Sequence, residues 1–180
     1  MPDKSNNRKD EAFWKILSAA MGLDISKGHL KWNMAELSRK AKVTRSLIYY
    51  YFGQSKMDIL NEAVNMIGEE LVGLNEERDE MWRKGELLES LKASREVLKK
   101  APFIPCFYLT HRADNNSSLG AALIQIEKRF VHKIRKFYPA VNETQAESLF
   151  AIYWGAAFSP GISEDALKGV LAVITSIARS

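Results

Sequence analysis

The sequence predicts an all-α protein: an N-terminal three-helix head containing a helix-turn-helix, joined by a long fourth helix to a helical C-terminal body. Three observations predict it. Apolar residues recur at three- and four-residue spacings along most of the chain. Helix-start signals, a capping residue with an apolar pair around it, recur ahead of those runs. A convincing period-two pattern, the mark of a half-buried strand, is missing from the sequence.

The first helix is expected over about Lys9 to Met21, burying Phe13, Ile16, Leu17 and Ala20 on one face. A loop holding Gly22, Asp24, Ser26 and Gly28 follows. Asn33 is placed to cap the second helix, with Glu36 three residues on to complete a capping box. Trp32 and Leu37 have the spacing of the accompanying hydrophobic staple. Thr44 then caps a third helix, where Val43 and Ile48 repeat the staple. Lys42 and Val43 alone separate the two patterns, so the chain turns sharply there, as in a helix-turn-helix whose second helix enters a DNA major groove.

Leu47, Ile48 and Phe52 fall on the inward face of that second helix, which leaves Arg45, Ser46, Tyr49, Tyr50 and Tyr51 outward. Arg45 and Ser46 occupy the first turn, the part of a recognition helix that reaches base edges. Arginine pairs with two acceptors of guanine and serine bonds to several bases. Tyr50 is a third candidate for base contact. Thr44, Tyr49 and Lys56 are suited to phosphates, which set register without reading sequence.

These residues carry a family resemblance. Ala41-Lys42-Val43-Thr44, then Leu47-Ile48-Tyr49-Tyr50-Tyr51-Phe52 and Lys56-Met57-Asp58-Ile59-Leu60, resemble the DNA-binding domain of TetR/AcrR-family transcriptional regulators, over about Phe13 to Leu60. In two places the chain departs from that pattern. Lys42 stands where the family carries a turn glycine, at a cost of about 1 kcal/mol if the backbone takes positive φ there. The Gly53-Gln54-Ser55 segment is one residue longer than usual. The resemblance implies a DNA-binding domain over residues 1–55 and a ligand-binding and dimerisation domain over 56–180. It also implies a repressor on a palindromic operator in double-stranded DNA, released when a small hydrophobic effector shifts the fourth helix.

Charge agrees with such a head. Residues 1–60 hold 11 Lys and Arg against 6 Asp and Glu, whereas residues 61–180 hold 15 against 16. The basic excess therefore lies in the helix-turn-helix segment, the electrostatic footprint of a DNA-binding module. The N-terminal MPDKSNNRKDE has no apolar run of a signal peptide, and no uncharged stretch approaches the 18 or so residues of a membrane span. A cytoplasmic protein with a flexible N-terminal arm and no membrane partner is expected.

Ser55 with Asp58 starts the fourth helix, whose apolar pattern runs through Ile59, Leu60, Ala63, Val64 and Ile67 towards Glu80. Further helices are expected from Glu86 to Lys100, over a short kinked segment from Pro102 to His111, and from Leu119 to Tyr138. Asn142 with Gln145 caps the next helix, and Ser163 the last. Small residues at Ala151, Gly155, Ala156 and Ala157, with Leu171, Ile174 and Ile177, suit either intrachain core or the four-helix homodimer interface that the resemblance implies. Aromatic side chains are the candidate effector lining, foremost Trp82, Phe103, Phe107, Tyr108 and Trp154, with His111 as a polar contact. Cys106 lies in the apolar run FIPCFYL and is expected to be buried.

Enzyme chemistry has little to stand on. The histidines, His29, His111 and His132, are not at metal-ligand spacing with carboxylates, and phosphate-loop and nucleophile-elbow motifs are missing. No enzyme activity, cofactor or metal is expected. The alternative from another class is a helical ligand-sensing or protein-interaction module that does not bind DNA.

Overall fold

The structure, a computed structural model, describes the backbone of residues 4–159 and 161–179 and the side chains of most residues from Glu11 to Ala178. Every regular element among the described residues is helical, as the sequence predicts. The order is α1 (Lys4–Lys27), α2 (Met34–Ala41), α3 (Arg45–Phe52), α4 (Lys56–Met66), α5 (Glu76–Arg83), α6 (Leu87–Lys100), α7 (Ile104–Arg112), α8 (Ser118–Phe137), α9 (Glu143–Phe158) and α10 (Glu164–Arg179). Among the described residues no helix is long and apolar enough to cross a membrane. Residues 1–3 of the expected N-terminal arm lie outside the described residues, and α1 already runs from Lys4.

The chain forms two compact units. The first holds residues 1–65 and 99–120, the second residues 66–98 and 121–180. In the first, α1 packs against α2 and α7, and α3 closes on α2. Ile16, Leu17 and Ala20 of α1 are fully buried with Leu37, Ile48, Ile59 and Leu60, so burial of one apolar stripe per helix supplies most of the cohesion. α1 runs six residues past its expected end, straight through Gly22 and Asp24. Gly22 lies against the Phe103 ring, where an added Cβ would stand 2.9 Å from Phe103 Cε2, so the close approach requires glycine.

Local capping explains the short helices. The Asn33 side chain accepts from the Ala35 and Glu36 N–H groups, and Glu36 accepts from the Asn33 N–H, closing the capping box. α2 stops at Lys42, which takes a left-handed backbone with φ 56°. The Lys42 N–H donates to Arg39 O and the Val43 N–H to Ser38 O, the two bonds of a Schellman cap. The Ser38 hydroxyl donates to Val43 O at 2.6 Å and locks the turn. Thr44 Oγ1 then accepts from the Leu47 N–H to start α3.

The fourth helix ends earlier than its apolar pattern suggests. α4 passes into a π-helical turn over Ile67–Leu71 and stops, and Asn75 caps the separate α5. Gly73 makes the break: its φ is +77°, and a Cβ there would press 2.9 Å from Arg78 Cγ. In the second unit, Trp82, Phe130, Tyr153 and Leu91 form a buried centre. The Arg78 guanidinium is buried beside them and donates to Ser90 Oγ, Ser94 Oγ and Glu70 O. α10 packs along α9.

Lys42 holds a conformation that costs a β-carbon-bearing residue about 1 kcal/mol or more. Lys42→Gly is therefore expected to raise the free energy of unfolding by about 0.5–1 kcal/mol in urea titration. An unchanged or lowered midpoint would show that the side chain compensates for the strain.

Candidate nucleic-acid interface

The candidate interface is the outward face of α3 with the turn before it. Ile48 and Phe52 are buried, and the Phe13 ring stacks on Phe52 at 5.1 Å and meets Tyr51 edge-on at 5.8 Å. Those contacts fix the rotation of α3 about its axis. Arg45 and Ser46 are consequently exposed on its first turn, and Tyr49 and Tyr50 further along are 38% and 73% exposed. Thr44 is exposed at the N-cap. Arg39, Lys40 and Lys42 stand in solvent on the α2 side of the turn and add positive charge to the same segment.

Lys56 sits differently. It is half-buried, and its ammonium donates to the Leu30 and Trp32 carbonyls while lying 5.7 Å from the centre of the Trp32 ring. It thus clasps the loop that leads into α2. The carboxylate of Asp24, 3% exposed, grips that loop from the other side. Asp24 Oδ1 accepts from the Leu30 N–H at 2.8 Å and the Trp32 indole N–H at 2.9 Å, and Oδ2 lies 3.1 Å from His29 Nδ1 and 2.8 Å from His111 Nε2. Burial by itself would push the Asp24 carboxyl up. The hydrogen bonds from His111, Leu30, Trp32 and His29 outweigh it and hold the group well below the usual carboxylate range.

Sequence reading passed over this cluster, because Asp24 and His111 stand 87 residues apart and no local spacing connects them. The expectation that His111 lines an effector pocket meets a buried histidine bonded to Asp24. Phe107 and Tyr108 are buried in α7 with it, while Phe103 is 37% exposed beneath Lys40. These four belong to the first unit, and Trp82 and Trp154 to the second. There the aromatic rings form a chain: Trp82 meets Phe130 and Tyr153, Phe130 meets Phe150, and Phe150 meets Trp154. Cys106 is exposed, contrary to expectation. The sides of α7 that carry Ile104, Phe107 and His111 turn inward, and Cys106 falls on the remaining side.

The second unit also has an open cleft of about 490 Å³, lined by Leu74, Asn75, Glu76, Asp79, Lys128, Arg129, His132, Lys133 and Lys136. None of the six expected lining residues borders it. Its chemistry is ionic. The Asp79 carboxylate pairs with Lys133 at 2.8 Å and Lys136 at 3.0 Å. Burial pushes the Lys133 ammonium down, and Asp79 restores part of that loss.

A short outward recognition helix behind a locked turn, in an all-helical chain, defines a helix-turn-helix DNA-binding regulator. Residues 16–63 match the family described as bacterial regulatory proteins, tetR family. The match covers the head alone, so residues 16–63 form a DNA-binding domain of the tetR-family type. Among solved structures it is similar in fold to a crystal structure from Mesorhizobium loti MAFF303099, itself provisionally assigned to the TetR-family transcriptional regulators. The identity is 18%, with a TM-score of 0.58 over 96% of this chain and 97% of that one. None of the curated proteins matches the chain in sequence.

Proposed function

We propose that the protein is a homodimeric repressor that reads a palindromic operator through paired α3 helices and is released by a small apolar effector. The observation that carries the reading is the division of α3: Ile48 and Phe52 anchor it while Arg45, Ser46 and Tyr50 stand in solvent. Arg45 and Ser46, on the first turn, contact base edges, and Tyr50 reaches a third position. Thr44 and Tyr49 hold phosphates. The Thr44 oxygen already accepts from the Leu47 N–H, which leaves its own O–H to donate. Lys56 uses two of its three N–H bonds on carbonyls, and the third serves a phosphate.

One recognition helix of eight residues contacts too few bases to be selective, so two-fold pairing is part of the reading. It is supported by small and apolar groups facing outward on the last two helices: Ala151 and Gly155 on α9, and Ala166, Gly169, Ala172 and Val173 on α10. Ala156, Ala157 and Ile174 face their own core instead. Close helix approach across a two-fold axis suits side chains of that size. The effector acts by unequal affinity for DNA-competent and released states. Its proposed receiver is the ring chain of the second unit that contains Trp82 and Trp154 or, within the first unit, the group of Phe103, Phe107, Tyr108 and His111.

Gel-shift titration against the DNA upstream of the protein's own gene, at fixed salt, tests the reading. Binding no tighter than to random duplex would instead favour a helical sensor that does not bind DNA. Arg45→Ala is expected to cost about 1–3 kcal/mol of binding and to relax preference at one base position. Uniform weakening on every sequence would contradict its role. Lys56→Ala is expected to flatten the salt dependence of log K by about one unit. Weaker binding at an unchanged slope would confine Lys56 to holding the loop. Val173→Glu places a charge on the proposed pairing face and is expected to shift sedimentation to the monomer at micromolar concentration. A dimer of unchanged strength would move the interface off α10.

A further inference from the structure

We propose that Asp24 Oδ2, His29 Nδ1 and His111 Nε2 form a binding site for a divalent transition-metal ion of the zinc type, within the first unit and away from the α3 reading face. Asp24 comes from the last turn of α1, His29 from the loop that follows, and His111 from the last turn of α7. The three ligand atoms lie within 4.8 Å of one another, with Oδ2 3.1 Å from His29 and 2.8 Å from His111. Ligands bound at about 2.0–2.2 Å to a tetrahedral zinc stand roughly 3.3 Å apart. The two distances to Asp24 therefore need to open by only a few tenths of an ångström, while the two imidazole nitrogens, within 4.8 Å of each other, adjust to the same spacing.

Three further features fit an ion better than a hydrogen-bonded cluster alone. The donor set, two imidazoles and one carboxylate, suits zinc, cobalt or nickel and is a poor match for magnesium or calcium. The ligating carboxylate has an outer shell in place: the Trp32 indole and the Leu30 N–H both hold Oδ1, which aims Oδ2 at the histidines. Access is graded as well. Asp24 and His111 are buried, whereas the His29 side chain is 42% exposed, giving an entry path and a position for a water ligand.

Binding is balanced without an added reagent. Each neutral imidazole coordinates through the nitrogen that otherwise donates to Asp24, so its proton moves to the other ring nitrogen: Nε2 in His29, Nδ1 in His111. The ion then ties α7 to the loop before Asn33, the same loop that Lys56 clasps. Its occupancy would set how firmly α2 and the turn are held. The proposal stands apart from the operator reading, because it needs no DNA.

The test uses the full chain without a polyhistidine tag, stripped with EDTA and titrated with cobalt(II). One ion per chain is expected, with the visible absorption of a four- or five-coordinate site, displaced by zinc. Zinc is expected to raise Tm reversibly. His29→Ala removes an exposed ligand, so the chain should keep its fold and cooperative melting while losing tenfold or more in cobalt affinity. His111→Gln is expected to lose binding likewise, and His132→Ala, outside the cluster, to bind as the parent does. Lack of a stoichiometric cobalt spectrum, or retention of parental affinity by His29→Ala, would reduce the cluster to a hydrogen-bonded triad and overturn the proposal.

Discussion

The reading head depends on one buried carboxylate. Asp24 gathers a backbone N–H, an indole and two imidazoles around two oxygens, and so holds the α1 end, the loop into α2 and α7 as one body. An ionised group taken out of water costs several kcal/mol unless its lone pairs are filled, and hydrogen bonds to a charge are worth about 1.5–3 kcal/mol each. Here the bonds come from four separate residues. Together with the Lys56 clasp on the same loop, they define the point from which α2 and then α3 start. The point from which α3 starts is thus set by polar contacts well outside it, while the apolar anchors Ile48 and Phe52 set its rotation.

The second unit solves a similar problem with a buried cation. The Arg78 guanidinium reaches two serine hydroxyls and a carbonyl, and Tyr153 and the Trp82 indole share those same hydroxyls. Apolar burial drives the helices together without direction, whereas this network fixes which residues face each other. Gly73 belongs to it as well. Its lack of a β-carbon leaves room for the Arg78 stem, and its carbonyl accepts from Lys133.

Much of the fold was legible because its signals are local. Asn33, Thr44, Ser55 and Asn142 each cap a helix within three residues, and apolar spacing marks the inward faces of α1 and α3. The two helices and the turn of the helix-turn-helix could be read from about two dozen residues. What escaped reading is non-local or steric. Gly73 breaks the fourth helix for the sake of Arg78, which no apolar period reports. α1 continues past its expected stop, and the glycine that suggested a loop serves a close approach to the Phe103 ring, far along the chain. The Asp24–His111 pair closes over 87 residues, so no motif spacing encodes it. The outward residues of α3 were assigned from periodicity, and their exposure follows from the anchoring rings.

Cys106 carries a practical consequence. As the chain's lone cysteine, and solvent-facing on α7, it reacts as a free surface thiol does. In aerated buffer, oxidation of two such thiols is a route to a covalent dimer that needs neither α9 nor α10. A reducing agent removes that covalent route, so association that survives reduction reports on the helix faces alone.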